Sequence, residues 1–133
     1  MANSLVGVLN FWHAKGNCLS FPGRLLSRSS TPSASPAGLK PGQAAFESTC
    51  AACHQASGMG VPGTFPPLAG SEWVNGAPEV PIAVVLRGVQ GAFKVAGMNY
   101  SGSMPSHRDT LKDDQIAEIL TYVRSSWGNS AAP

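Results

Sequence analysis

Apolar side chains recur at helical spacing near the C-terminal end of the chain. The residues of this stripe, separated by steps of three and four, are Ile116, Ile119, Leu120, Val123 and Trp127. Such spacing places them on one face of an α-helix. Asp113 and Asp114 precede the stripe, where the helix dipole favours negative charge, and Gly128 follows it. The pattern predicts an amphipathic helix over residues 112–127.

Two weaker helical patterns lie upstream. The alanine-rich stretch from Gln43 to Cys53 and the apolar stretch from Pro78 to Arg87 each favour a helix. Residues 57–70 and 88–105 carry glycine and proline too often for helices, and a tiny hairpin is expected around Phe93 to Tyr100. No internal repeat is visible. The patterns therefore predict an all-α domain.

The first 39 residues differ in character from the rest. A short apolar stretch, residues 5–11, has no positive charge before it and is a poor secretory signal, while the bases and serines without acids also suit a mitochondrial leader. A misassigned start, or a piece of a longer protein, is a third interpretation. Residues 27–38 have the composition of a linker, and Cys18 is predicted to be an unused thiol. We expect residues 1–39 to be a leader or linker, disordered or removed, residues 40–128 to form the domain, and residues 129–133 to be a short tail.

The charge of the predicted domain is close to balanced. From residue 40 onward the bases are Lys40, Arg87, Lys94, Arg108, Lys112 and Arg124, and the acids are Glu47, Glu72, Glu79, Asp109, Asp113, Asp114 and Glu118. Nucleic-acid binding needs clustered bases, so this composition argues against it. At 133 residues the chain is about one domain long, and its apolar runs are all shorter than the roughly twenty residues of a transmembrane helix.

Candidate chemistry is concentrated in the segment Cys50-Ala51-Ala52-Cys53-His54. Two thiols three residues apart at a helix end can add to the two vinyl groups of haem, and the adjoining histidine can then supply an imidazole ligand to the iron. The motif therefore predicts one covalently attached haem c, bound through Cys50, Cys53 and His54.

Two other interpretations of the cysteine pair are weaker. A structural zinc site needs four ligands, yet the sequence has no second cysteine pair, and His13 and His107 are isolated. A thioredoxin-type dithiol would accompany alternating strands and helices, which the hydrophobic pattern does not show.

A second axial ligand to the iron is sought among the methionines, which are Met1, Met59, Met98 and Met104. Met59 follows His54 too closely to reach the opposite face of the ring. Met104 is favoured because the next residue, Pro105, would stiffen a ligand loop, and thioethers suit haem iron. Met98 is the reserve candidate, and His107 is the third.

The segment from about Lys40 to Trp127 resembles the small monohaem cytochrome c domains. The family has a glycine and an aromatic residue eight and four positions before the first haem cysteine, which Gly42 and Phe46 match, and Tyr122 looks like its aromatic residue on the last helix. The resemblance implies the small cytochrome c fold, with three to five helices packed around one covalent haem.

The same resemblance assigns roles to three more residues. The carbonyl of Pro66 would accept a hydrogen bond from His54, and Leu68 would press on the haem. Ser103-Met104-Pro105 matches the family's axial methionine turn, which implies His54 and Met104 as the iron ligands. Further residues expected to line the haem are Trp73, Leu86, Tyr100, Ile119 and Trp127.

The segments at residues 65–71, 73–76 and 122–129 resemble, more narrowly, bacterial cytochrome domains that accompany dehydrogenases, nitrite reductases and terminal oxidases. The expected function is single-electron transfer between redox proteins, by a monomer or a subunit that is not itself an enzyme. A haem peroxidase and a gas-sensing module are the rival functions. Since haem is attached outside the cytoplasm in this family, the resemblance implies a periplasmic protein, associated with the membrane, if at all, through a partner.

Overall fold

A computed structural model describes residues 38–132 of the chain. The expectations for a leader, a linker and Cys18, and the candidates Met1 and His13, lie in the segment before residue 38 and so outside the described residues.

Within that range the chain forms five helices and one hairpin. In chain order the elements are α1 (Gln43–Thr49), α2 (Ala51–His54), α3 (Glu72–Asn75), α4 (Glu79–Arg87), β1 (Val89–Val95), β2 (Met98–Met104) and α5 (Asp113–Arg124). None of the helices in this range is long and apolar enough to cross a membrane.

The helix boundaries differ from the sequence prediction in three places. The predicted helix over residues 43–53 is divided at Cys50 into α1 and α2. The last helix, α5, ends three residues earlier than predicted, and Trp127 follows it with a positive φ of 54°. The short helix α3 was not predicted; the hydroxyl of Ser71 caps it by accepting a hydrogen bond from the Trp73 amide at 3.2 Å.

The hairpin corrects the prediction of an all-α fold. Strands β1 and β2 pair antiparallel over seven residues each, from Val89 opposite Met104 to Val95 opposite Met98. The two residues between them, Ala96 and Gly97, both have positive φ. A two-residue hairpin with a type I′ turn requires this conformation at both positions. The tiny hairpin predicted around residues 93–100 is thus the end of a longer one. The domain is helical with a small sheet.

Aromatic packing between the first and last helices forms the centre of the core. Phe46 is fully buried, and its ring centroid lies 5.5 Å from that of Tyr122 and 5.1 Å from that of Trp127. Val74 from α3 and Ile119 from α5 belong to the same cluster. Burial of these rings fixes α1, and with it the start of the Cys50–His54 segment, against α5.

Two buried polar side chains attach the end of the chain to this core. Arg124 donates hydrogen bonds to the Val74 carbonyl at 2.6 Å, the Gly76 carbonyl at 3.2 Å and the Ala132 carbonyl at 2.6 Å. Asn129 is 6% exposed, although the predicted tail begins at that residue. Packing therefore continues past residue 128.

Close approach of α1 to α5 requires glycine at position 42. Gly42 has a φ of +79°, and a Cβ there would overlap the backbone carbonyl of Glu118 in α5. Any larger residue would both strain the backbone and separate the two helices.

We expect Gly42→Ala to lower the free energy of unfolding of the haem-loaded protein by about 3 kcal/mol, from left-handed backbone strain and from overpacking. Gly63→Ala is the matched control: Gly63 has a φ of +76° but nothing within 4 Å of its Cβ position. That variant should lose only about 1 kcal/mol. Denaturant unfolding followed by circular dichroism measures both, and equal losses would show that the helix crossing does not need the glycine.

Candidate haem-binding site

The six predicted cofactor-binding residues line one cavity of about 300 Å³. They are Cys50, Cys53, His54, Pro66, Leu68 and Met104. They come from the junction of α1 and α2, from α2, from the loop after α2 and from the end of β2. The fold therefore brings together residues up to 54 positions apart in sequence.

The rest of the cavity wall is mainly apolar. The largest of these wall residues are Phe46, Phe65, Trp73, Val74, Val84, Val85, Val89, Phe93, Val95, Ile119, Leu120 and Val123. An apolar cavity of this size with a few polar groups is the usual form of a cofactor site.

Two of the five expected wall residues, Trp73 and Ile119, do line the cavity. The other three do not belong to its lining. Leu86 lines a second groove, between α4 and α5. Tyr100 is buried with its ring 6.1 Å from Phe93, and Trp127 packs on Phe46 and Tyr122. Helical or strand periodicity predicts which residues face the interior, but it cannot predict which of those residues line the cavity.

The thiols of Cys50 and Cys53 are free and are not paired with each other. Cys50 lies between α1 and α2, where its amide donates to the Phe46 carbonyl at 2.7 Å, while Cys53 is exposed. Burial, followed by the neighbouring Cys53, raises the pKa of Cys50 to about 11. The Cys50 sulfur is therefore a protonated thiol at neutral pH.

The His54 imidazole is held by one hydrogen bond. Its Nδ1–H donates to the Pro66 carbonyl at 2.9 Å, the contact expected from the family resemblance, and the residue is 8% exposed. Nε2 makes no hydrogen bond within residues 38–132, which leaves its lone pair available to a metal. Burial lowers the pKa of His54, an effect partly offset by the Pro66 bond, so the neutral ring able to ligate iron dominates at neutral pH.

The loop after α2 is folded tightly enough to present the Pro66 carbonyl. The Gly60 amide donates to the His54 carbonyl at 3.0 Å, and the Leu68 amide donates to the Gly58 carbonyl at 2.7 Å. A Cβ on Gly58 would lie 2.5 Å from the Trp127 indole, whose Nε1–H donates to the Ala56 carbonyl at 3.1 Å. The glycines predicted this loop, but the hydrogen bonds that fix it were not predictable from their positions.

Met104 is held at the end of β2 by contacts with α4. After Pro105, the Ser106 hydroxyl donates to the Leu86 carbonyl at 2.7 Å and the His107 amide donates to the Val85 carbonyl at 2.9 Å. These bonds satisfy carbonyls left unpaired at the C-terminus of α4. Sequence reasoning missed Ser106; its position just after Met104-Pro105 was the available signal.

Of the competing ligand candidates, the two methionines lie outside the cavity lining, whereas the histidine belongs to it. Met98 lies at the hairpin turn, is 44% exposed and does not belong to the cavity lining, and Met59 is 61% exposed. His107 does line the cavity, with Nδ1 3.4 Å from the Thr110 hydroxyl. Among residues 38–132 no group of three His, Cys, Asp or Glu side chains could hold a metal ion, so the zinc interpretation gains no support there.

The donor set fits haem c. Two free thiols three residues apart can form the thioether links, a neutral buried imidazole can ligate the iron through Nε2, and a thioether sulfur lines the same apolar cavity. The two thiols, the imidazole and the apolar walls are therefore what the prosthetic group requires.

Comparison with known proteins agrees with this chemistry. The family model described as cytochrome c matches residues 39–127. A cytochrome c-552 of Thermus thermophilus is 46% identical over 85 residues, which are 61% of this chain and 64% of that protein.

Subunits of larger enzymes are also similar. The cytochrome c subunit of a quinone alcohol dehydrogenase from Gluconacetobacter polyoxogenes is 36% identical over 94 residues, which are 68% of this chain and 19% of the subunit. The gluconate 2-dehydrogenase cytochrome c subunit of Pantoea cypripedii is 32% identical over 96 residues, which are 68% of this chain and 21% of the subunit.

The chain thus spans less than two thirds of the Thermus protein and about a fifth of the dehydrogenase subunits. The family match covers more than half of the chain and includes the whole cavity-forming region up to residue 127. The chain belongs to the cytochrome c family, and its cofactor is covalently bound haem c.

Proposed function

We propose that the protein is a single-electron carrier whose haem is attached through Cys50 and Cys53 and whose iron is ligated by His54 and Met104. The observation that carries the proposal is the one apolar cavity lined by both thiols, the Nδ1-bonded imidazole and the methionine. Membership of the cytochrome c family supports haem-based electron transfer in general; the ligand pair and the partners are the proposal.

The chain's own residues hold and orient the cofactor. Cys50 and Cys53 would tether it covalently, so that it stays attached to the protein even when its iron ligands are labile. The Pro66 carbonyl fixes the ring of His54 and raises its basicity through the Nδ1–H bond. Haem supplies a one-electron iron couple when bound.

Two properties of the site favour electron transfer over catalysis. If His54 and Met104 both ligate the iron, a substrate would have no free coordination site, which argues against the peroxidase and gas-sensor alternatives. The apolar walls disfavour the additional charge of the ferric centre, and methionine ligation acts in the same direction, so we expect a high reduction potential.

An exposed apolar edge lies beside the haem-attachment segment. The loop after the haem-attachment segment exposes Met59 to 61% and Val61 to 37%, and Cys53 itself is exposed. We infer that redox partners meet this apolar edge. The near balance of charge from residue 40 onward supports recognition without strong electrostatic steering.

The partners we propose are redox proteins, namely a dehydrogenase, a reductase or an oxidase. Similar chains named as cytochrome c subunits of alcohol and gluconate dehydrogenases support this class. The protein would work as a monomer or as a subunit of such a complex, in the bacterial periplasm, with any membrane association supplied by the partner. Nucleic acid is not among the proposed partners.

Replacing Met104 tests the ligand assignment. In Met104→Ala the ferric protein should lose completely the weak long-wavelength absorption band that marks methionine–iron bonding, and the ferrous protein should bind carbon monoxide. Met98→Ala is the matched control, since Met98 is exposed and lies outside the cavity lining; its spectra should equal those of the wild type. Loss of the band in Met98→Ala, with Met104→Ala unchanged, would contradict the assignment.

The salt dependence of electron self-exchange between ferrous and ferric copies tests apolar docking. Because the proposed edge is apolar, the rate measured by NMR line broadening should change less than about threefold as salt rises from low to physiological concentration.

Met59→Lys provides the comparison, since it adds a like charge to both molecules of the encounter pair. This variant should exchange more slowly at low salt and recover as salt screens the charge. A steep salt dependence in the wild type, or no effect of the added lysine, would place the docking surface elsewhere.

A further inference from the structure

Asn129 lies beyond the residues matched by the family model, yet its side chain is buried and fully hydrogen-bonded. Its Oδ1 accepts from the Gly70 amide at 2.9 Å and from Asn75 Nδ2 at 2.8 Å. Its Nδ2 donates to the Leu68 carbonyl at 3.1 Å and to the Val123 carbonyl at 2.9 Å. Both acceptor and both donor positions of one amide are thus used.

The segment that Asn129 contacts follows two prolines in the loop after α2. Pro66 and Pro67 have no backbone N–H, so the position of the Pro66 carbonyl depends on the residues at either side. On the N-terminal side the Phe65 amide donates to the Val61 carbonyl at 2.8 Å. On the C-terminal side the Leu68 amide donates to Gly58, within the same loop.

The bonds from Asn129 attach this loop to the rest of the fold. They run from the loop residues Leu68 and Gly70 to the end of α5 at Val123 and to α3 at Asn75. The loop's own backbone bonds join it to itself or to the end of α2, and the Trp127 indole holds the loop only at its N-terminal end, through the Ala56 carbonyl. The Asn129 amide therefore connects the loop to two helices that line the cavity.

We propose that Asn129 is a positioning residue for the iron ligand: by fixing Leu68 and Gly70 it holds the Pro66 carbonyl against Nδ1–H of His54. The assignment rests on the proposed function, in which His54 ligates the iron. It adds a residue from outside the family match to the set that controls the ligand's orientation and basicity.

Asn129→Ala tests the assignment in the haem-loaded protein. Without the amide, the loop should open more often, so the His54 Nδ1–H resonance of the ferrous protein should move upfield and its hydrogen exchange should quicken about tenfold, as expected for the loss of buried hydrogen bonds. Arg124→Gln is the control, because Arg124 stabilises the same C-terminal region through Val74, Gly76 and Ala132 but makes no bond to the 66–70 loop. The exchange rates are compared at equal free energy of unfolding, set with denaturant.

A measurement on the wild-type protein tests the same proposal if Asn129→Ala does not fold. In native-state hydrogen exchange the Gly70 amide and the His54 Nδ1–H should share one opening reaction, with rates that respond equally to denaturant. Independent opening of the two protons, or equal effects of the Asn129 and Arg124 variants on His54, would overturn the positioning role while leaving covalent haem and its ligands intact. A wild-type protein without covalent haem would instead overturn the proposed function, and the inference with it.

Discussion

The hydrogen bond from His54 Nδ1–H to the Pro66 carbonyl is the contact on which the site depends. It selects the tautomer that leaves Nε2 free and sets the direction in which the ring faces the cavity. The surrounding structure positions both the donor and the acceptor of this hydrogen bond. Packing of Phe46 against α5 places the Cys50–His54 segment on one side, and the glycine-containing loop places Pro66 on the other.

Local residue chemistry was sufficient to predict the centre of the site. Cys50, Cys53 and His54 lie within five consecutive residues, so their proximity follows from chain connectivity. All three line the cavity. Likewise, the stripe on α5 follows from helical spacing, because residues three and four apart share a face whatever the tertiary structure. The family resemblance alone pointed to Pro66 and Leu68, whereas Met104 was favoured both by the following Pro105 and by the resemblance.

Contacts between distant segments could not be predicted in the same way. The length of the hairpin depends on pairing Val89 with Met104, and its glycines concealed the strands because glycine usually disfavours them. Leu86 and Tyr100 are apolar at regular spacing, yet the cavity is lined by other faces of α4 and the hairpin. Asn129 followed an apparent helix stop and so looked like tail; only the folded chain shows that it meets Leu68 and Gly70.

Covalent attachment is the central claim, and the intact mass of the protein tests it most directly. Protein from a host competent for cytochrome maturation should weigh one haem more than its polypeptide, keep the red colour after acid–acetone extraction, and leave Cys50 and Cys53 resistant to alkylation. A colourless protein of polypeptide mass, with both thiols open to alkylation, would contradict the account.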